Sequence, residues 1–161
     1  MREWTVGGAI ITSADGLCLV RNRRRNGSYD WSPPGGVIEH GEDLVVGLTR
    51  EVAEETGLIV SEWTGPLYTV RIEAPDMGWD LTVEVHRALV YSGQLAIADP
   101  DGIVVDVGFH PAEACADHLT VGDVWVREPV LAWLEDPWSS RRHFGYVARG
   151  TDRSQMVVER R

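Results

Sequence analysis

The hydrophobic positions of the chain follow two different periodicities. Segments in which every second residue is apolar predict strands, and segments with apolar residues three and four positions apart predict helices. The first pattern predicts strands over residues 3–12, 17–21, 58–72, 81–91 and 103–109. The second predicts helices at about 43–56, from Pro111 onward and over 123–134. Strands and helices interleave, so the sequence predicts a mixed α/β domain.

Glycine, proline and aspartate mark the boundaries between these segments. Residues 13–16 predict a tight turn that joins the first two strands as a hairpin. The polar, basic residues 22–30 predict a loop, and the two prolines and two glycines of 31–36 predict a rigid, non-helical backbone. Gly57 is placed to end the first long helix. The tail at about 141–161 mixes strand-like pieces with arginines and predicts a C-terminal hairpin extension.

Length and composition restrict the kind of protein. The 161 residues suit one domain, over 1–161, with room for a real core. The net charge of -10 argues against a protein that tracks a nucleic acid polymer. The N-terminal apolar run is too short and too glycine-broken for a signal peptide or a membrane span. Cys18 and Cys115 lie in apolar contexts without metal or redox spacing. We therefore expect a cytoplasmic protein with buried thiols and no membrane partner.

Three carboxylates share one face of the predicted helix at 43–56. Glu51, Glu54 and Glu55 stand at i, i+3 and i+4, where like charges destabilise an isolated helix. A hard divalent cation, Mg²⁺ or Mn²⁺, would relieve this repulsion because it prefers oxygen ligands. A carbonyl of the Gly35-Gly36 turn is placed to add a ligand. The alternative is a solvated acidic helix face with no bound ion.

Residues 36–58 resemble a known motif, the Nudix box, G-x(5)-E-x(7)-R-E-U-x-E-E-x-G-U with U aliphatic. Every defined position is met, by Gly36, Glu42, Arg50, Glu51, Val52, Glu54, Glu55, Gly57 and Leu58. The resemblance implies a Nudix-type α/β/α sandwich with a mixed β-sheet. It also implies a Mg²⁺- or Mn²⁺-dependent hydrolase that acts on a nucleoside diphosphate linked to another moiety.

The resemblance also implies roles for the residues of the box. Glu54 and Glu55 would bind the metal, Gly36 would offer a carbonyl ligand, and Glu51 would be a further ligand or the general base. Arg50 would orient Glu51, so that the implied catalytic residues are Glu51, Arg50 and Glu54. The general base stays open, because some members of the family use an acidic residue from a later loop.

Residues outside the box supply candidates for substrate binding. Arginine suits bidentate phosphate contact, so Arg23 and Arg24 are candidates for holding a phosphate; the alternative is an exposed basic loop. Trp31 is a candidate for stacking on a nucleobase, with a place in the core or at its rim as the alternative. Asp101 is a candidate acid from the turn at 99–102, where a purely turn-forming role is the alternative. Four further tryptophans are predicted to be core residues: Trp4, Trp63, Trp125 and Trp133.

Two questions about function stay open at this stage. A catalytically silent ligand-sensing or interaction module of the same fold is the alternative to an enzyme, although such a module would not need every charged residue of the box. The substrate is a small nucleotide-type molecule, and ADP-ribose, another nucleotide sugar, a diadenosine polyphosphate, a coenzyme A and an oxidised nucleoside triphosphate are all compatible. Strands in the tail offer an interface for a homodimer.

Overall fold

The structure, a computed structural model, describes residues 1–161 as ten strands and three helices. The strands are β1 (Arg2–Ile10), β2 (Thr12–Ser13), β3 (Gly16–Arg23), β4 (Tyr29–Ser32), β5 (Gly35–Val37), β6 (Leu58–Ala74), β7 (Trp79–Gly93), β8 (Val104–His110), β9 (Arg142–Arg149) and β10 (Val157–Arg160). The helices are α1 (Leu44–Thr56), α2 (Ala112–Leu119) and α3 (Val124–Glu135). The predicted mixed α/β class is confirmed.

A six-stranded mixed sheet forms the centre of the molecule, in the order β10-β9-β6-β7-β1-β5. The long hairpin of β6 and β7 is antiparallel, whereas β1 runs parallel to β7 and β9 runs parallel to β6. The predicted tail hairpin forms, because β10 pairs antiparallel with β9. Since β9 also pairs with β6, the tail is continuous with the main sheet.

A smaller sheet contains β2, β3, β4 and β8, with β3 pairing with each of the other three. The prediction that residues 3–12 and 17–21 form one hairpin was therefore mostly wrong. Only Thr12–Ser13 pairs with the start of β3, while β1 joins the main sheet beside β5 and β7. The predicted loop at 22–30 is also shorter, because β3 extends to Arg23 and β4 begins at Tyr29.

Helix α1 begins and ends where its local sequence predicts. Asp43 caps the N-terminus by accepting a hydrogen bond from the Val46 N–H at 3.0 Å. Gly57 ends the helix in the left-handed conformation (φ 79°), and its N–H donates to the carbonyl of Ala53. The helix is thereby fixed in length, so that its acidic residues keep a defined position relative to the sheets.

Two clusters of buried side chains hold the layers together. Leu48 and Val52 of α1 pack against β1 and the small sheet on one side of the main sheet. Trp125, Val130 and Trp133 of α3 belong to the larger cluster on the other side. The main sheet therefore lies between α1 and α3, which is the predicted α/β/α sandwich. None of the helices has the length and apolar character of a membrane span.

Of the four tryptophans predicted to lie in the core, two are buried, one is partly buried and one is exposed. Trp125 and Trp133 are buried as expected, and Trp63 is partly buried, with its indole N–H donating to the Thr49 hydroxyl. The prediction for Trp4 was wrong, because this side chain is 42% exposed in the first half of β1, where the strand is uncovered. Both cysteines are buried free thiols.

Candidate functional site

A cavity of about 490 Å³ opens between the two sheets beside the C-terminal half of α1. This volume is in the range of small-molecule sites in proteins. One wall is polar and carries side chains of α1, of β3 and the residue that follows it, and of the loop at 99–103, including Glu51, Glu55, Arg24 and Asp101. The opposite wall comes from β1, β6, β7 and α3. The cavity thus joins the acidic face of α1 to an apolar pocket.

Glu51 lies directly against the backbone of β5. A Cβ atom built on Gly36 would lie 2.8 Å from the Glu51 carboxyl carbon, so only glycine leaves room for this carboxylate. Burial raises the pKa of Glu51, and neighbouring carboxylates add to the shift while Arg50 opposes it. The glycine-rich segment and α1 therefore hold Glu51 at the cavity. Its charged carboxylate is less favourable there than it would be in water.

Arg50 connects three acidic residues of the motif. Its guanidinium lies 3.1 Å from the Glu42 carboxylate, 3.4 Å from Glu51 and 3.9 Å from Glu54. Because one guanidinium contacts three carboxylates, Arg50 orients Glu51 and partly offsets the negative charge of the helix face.

Glu55 is the most strongly perturbed carboxylate of the site. It is only 9% exposed, and its Oε1 atom accepts a hydrogen bond from the Gly35 N–H at 2.9 Å. Burial raises the pKa of Glu55 to about 8, with Glu51, Asp99 and Glu54 adding to the shift and the Gly35 hydrogen bond opposing it. In the absence of a cation, a proton is therefore favoured on Glu55 near neutral pH.

The acidic loop at 99–103 is tied to α1 through the main chain. The Ala98 N–H donates to the carbonyl of Glu54 at 2.8 Å, and the Ala96 N–H donates to the carbonyl of Thr56 at 2.9 Å. These bonds use carbonyls that the end of a helix leaves unpaired. The loop is thereby placed beside the carboxylates of the helix.

Within this loop the two aspartates have different roles. The Asp99 carboxylate accepts hydrogen bonds from the N–H groups of Asp101, Ile103 and Val104, so it organises the turn. Asp101 is exposed and lines the cavity without such bonds. The turn-forming role therefore belongs to Asp99, and Asp101 stays available as the predicted acid.

The donor chemistry of this site fits a hard divalent cation. Carboxylates of Glu51 and Glu55 line one wall, and Gly36, whose carbonyl is a further oxygen donor, lies against Glu51. No three acidic, histidine or cysteine side chains converge into a finished ligand cage. Glu54 in particular does not line the cavity and lies near Arg50. These residues thus carry suitable oxygen donors, but the donors are not already arranged as a complete set of metal ligands.

The two predicted phosphate-binding arginines occupy different places. Arg24 lines the cavity, and its guanidinium donates two hydrogen bonds to Asp30, at 2.7 and 2.8 Å. This pairing fixes the guanidinium at the polar wall and raises its pKa. Arg23 is exposed at the end of β3 and does not line the cavity, since successive residues of a strand point to opposite faces. Its predicted role in substrate binding is not supported by this position.

Trp31 also lies outside the cavity wall. Its ring stacks on His118 with centroids 4.4 Å apart and meets the edge of His110 at 5.0 Å. These two histidines, from α2 and the end of β8, occupy the surfaces that a nucleobase would need. The geometry therefore speaks against the predicted stacking role and assigns Trp31 to the packing between α2 and the small sheet.

Several cavity residues were not predicted from the sequence. Asn22 is buried, and its amide donates to Asp30 and to the Ser32 hydroxyl, although its segment had been interpreted as a loop. Tyr68 lies within β6. The alternation of the strand predicts on which face of the sheet its side chain lies, but it does not predict the cavity that the side chain lines. For both residues the sequence shows only that the side chain carries polar atoms, and it gives no indication that the side chain lines a cavity.

Comparison with known proteins gives a consistent family. The NUDIX domain family matches residues 1–134, which is most of the chain, so the chain belongs to this family. The fold agrees with that of the MutT protein from Bacillus halodurans, with a TM-score of 0.64 and 21% identity over 98% of this chain and 97% of that one.

Two curated relatives illustrate the range of activities among similar proteins. The RNA pyrophosphohydrolase of Caulobacter vibrioides is 41% identical over 59 residues, which cover 36% of this chain and 34% of that protein. The 8-oxo-dGDP phosphatase NUDT18 of Mus musculus is 25% identical over 122 residues, or 75% of this chain and 36% of that protein. The chain thus spans about a third of the length of these relatives.

Proposed function

We propose that the protein is a Mg²⁺- or Mn²⁺-dependent pyrophosphohydrolase that cleaves a nucleoside diphosphate linked to another moiety. The observation that carries this proposal is the seating of Glu51 against Gly36, next to the buried Glu55, at the mouth of a ligand-sized cavity. Membership of the NUDIX family supports it, and so do the relatives named as a pyrophosphohydrolase and a phosphatase.

The residues divide the work as follows. Glu51, Glu54, Glu55 and the Gly36 carbonyl would hold the ion, and a bound divalent cation would neutralise phosphate oxygens and lower the pKa of a water. Glu51 would serve as a further ligand or as the base that accepts the proton of the attacking water, and its contacts with Arg50 and Gly36 at the cavity support either role. Asp101 from the acidic loop is the second candidate for this base.

Arg24 would bind a phosphate of the substrate. Its guanidinium is already oriented by Asp30, so part of the entropy cost of holding the side chain is met before the substrate binds. The guanidinium belongs to the same polar wall as the carboxylates, and Glu55 is among the groups that raise its pKa. A diphosphate would then lie along this wall, in contact with Arg24 and with the ion held by α1.

The proposal is tested by a phosphate-release screen with Mg²⁺ or Mn²⁺ over a panel of nucleoside triphosphates, nucleotide sugars and dinucleotides. We expect hydrolysis of at least one class, lost on chelation, and a reduction of about 10²–10⁴-fold in kcat for Glu51→Gln and Glu54→Gln. Glu113→Gln, on the exposed part of α2, is the matched control and should keep full activity. Activity unchanged in Glu51→Gln and Glu54→Gln would remove the proposed site. Ligand binding without hydrolysis would instead favour the silent binding module.

A further inference from the structure

A loop near the end of the chain contacts one wall of the cavity. The family match ends at residue 134, whereas β9, β10 and the loop at 150–156 that joins them lie beyond it. From this loop, which we call the tail loop, Arg153 places its guanidinium carbon 5.1 Å from the ring centroid of Trp125. Trp125 lines the cavity, so the tail loop reaches one side of the candidate site.

Arg153 is also paired with the residue that precedes α3. One of its terminal nitrogens donates to both carboxylate oxygens of Asp123, at 3.1 and 3.0 Å. Asp123 is the N-cap of α3, where an aspartate normally accepts a hydrogen bond from the first turn of the helix, yet its side chain makes no such bond. The carboxylate therefore binds the tail loop instead of its own helix.

The tail loop is anchored at both ends. The Gly150 N–H donates to the Asp76 carboxylate at 2.9 Å, in the turn between β6 and β7. At the other end Met156 packs against the larger buried cluster, and its sulfur accepts a hydrogen bond from Arg153 at 3.7 Å. Arg153 therefore extends from an anchored turn, and its contacts with Asp123 and Trp125 connect this turn to the start of α3.

The orientation of the Trp125 ring depends on packing alone. Its indole N–H makes no hydrogen bond within the protein, whereas those of Trp133 and Trp138 donate to backbone carbonyls. The ring meets Trp79 edge to face, with centroids 6.5 Å apart, and Arg153 lies over it. A guanidinium over an indole face is attracted to it, so Arg153 helps to hold the ring in place.

We infer that Arg153 is a positioning residue of the site: by pairing with Asp123 and lying over Trp125, it fixes the start of α3 and thereby one wall of the cavity. The carboxylates proposed to act on the substrate belong to α1 and the loop at 99–103, which Arg153 does not contact. Loss of Arg153 should therefore weaken substrate binding and leave the chemical step unchanged. The effect on activity rests on the proposed function, whereas the effect on Trp125 does not.

The position of Trp125 is measured by fluorine NMR of protein labelled with fluorotryptophan. The chain has seven tryptophans, and Trp125→Phe identifies the signal of Trp125 by its disappearance. In Arg153→Ala this signal should shift or broaden, while the midpoint of urea unfolding stays near that of the parent protein. Arg149→Ala is the matched control, because it removes the same charge from an exposed side chain of the same tail that makes no ion pair. It should leave the signal unchanged.

The effect on the site is measured as KM and kcat for the substrate that the phosphate-release screen identifies. Arg153→Ala should raise KM at least about threefold, because a mobile wall spends only part of its time in the conformation that binds. It should change kcat by less than about twofold, since a change confined to binding leaves the chemical step alone. Arg149→Ala should keep both parameters.

Asp123→Ser separates positioning from a simple effect of charge. Serine is as good an N-cap as aspartate, but its side chain is too short to keep the ion pair with Arg153. The positioning role predicts a higher KM and a shifted Trp125 signal, as in Arg153→Ala. Asp123 is also among the carboxylates that raise the pKa of Arg24, so its negative charge lies near the polar wall. A pure charge effect would therefore lower KM for an anionic substrate in this variant.

The outcomes distinguish this inference from the function on which it partly rests. An unchanged Trp125 signal in Arg153→Ala would overturn the inference, and so would KM values that move in opposite directions in Arg153→Ala and Asp123→Ser. A shifted signal with unchanged KM would also overturn it, because Arg153 would then support only the fold. If no panel substrate is hydrolysed, the hydrolase proposal fails, while a signal that shifts in Arg153→Ala and Asp123→Ser but not in Arg149→Ala still supports the positioning of Trp125.

Discussion

The buried carboxyl of Glu55 should make the stability of the metal-free protein depend strongly on pH. Its pKa is raised from an ordinary value of 4.5 to about 8 in the folded protein, chiefly by burial. Between these values the unfolded chain has released the proton while the folded protein still holds it. Since the folded state binds more protons, the free energy of unfolding falls as pH rises. The contribution is fully present below about pH 4.5 and is lost above about pH 8.

The size of this effect follows from the two pKa values. A difference of roughly 3.5 units, at about 1.4 kcal/mol per unit, gives an upper limit of about 5 kcal/mol. Glu54 and Asp99, two of the carboxylates that add to the shift, are only partly buried, and their rearrangement will reduce the effect, so we expect about 2–4 kcal/mol. Glu55→Gln removes the titration while the glutamine oxygen can still accept the hydrogen bond of the Gly35 N–H.

The assay is urea unfolding of the chelator-treated protein and of Glu55→Gln at several pH values from about pH 5 to about pH 9. The two proteins should have similar stability at the acidic end, and the variant should be more stable by about 2–4 kcal/mol at the alkaline end. Addition of Mg²⁺ should stabilise the parent protein more than the variant at alkaline pH. Parallel stability curves for the two proteins would refute the reasoning, because other titrating groups contribute equally to both.

Three further predictions concern glycines and the acidic loop. Gly36→Ala should reduce kcat by at least about tenfold in the phosphate-release assay, because the new Cβ displaces the Glu51 carboxylate, while stability measured by urea unfolding changes by less than about 1 kcal/mol. A variant that keeps full kcat would show that the position of Glu51 is unimportant. Gly57→Ala should lower the unfolding free energy by about 1–3 kcal/mol, since the residue has φ 79° and the new Cβ would meet the Gln94 carbonyl. Asp99→Ala should raise hydrogen exchange at the amides of Ile103 and Val104, which would lose their acceptor; unchanged exchange would contradict the assigned role of Asp99.

What could be predicted from the sequence was set by local interactions. The cap at Asp43, the stop at Gly57 and the helix between them all depend on neighbours within one or two helical turns, and the structure contains all of them. The assignment to the family rests on the same short segment. These features are therefore determined by residues that lie within about 20 positions of one another in the sequence.

What was missed depends on partners that lie far apart along the chain. The start of the chain reads as one arm of a hairpin, but its strand pairs in parallel with residues 79–87, and no local pattern specifies a parallel partner. Trp31 looked available for a ligand because nothing nearby indicated that His118 would cover it. The cavity that Tyr68 lines is bounded by residues from both sheets, from α1 and α3 and from the loop at 99–103, so its existence is a property of the tertiary structure.

The main-chain bonds from Ala96 and Ala98 to the last turn of α1 have a consequence for how the site can diversify. Because backbone atoms set the spacing between the helix and the loop, side chains at 95–98 can change without moving Asp99 or Asp101. Charge and bulk near the cavity mouth can therefore be varied independently of the geometry of the carboxylates. Substitutions in this solvent-facing segment can therefore adapt the site to a substrate with a different leaving group. The distances between the helix carboxylates and the loop aspartates would stay the same.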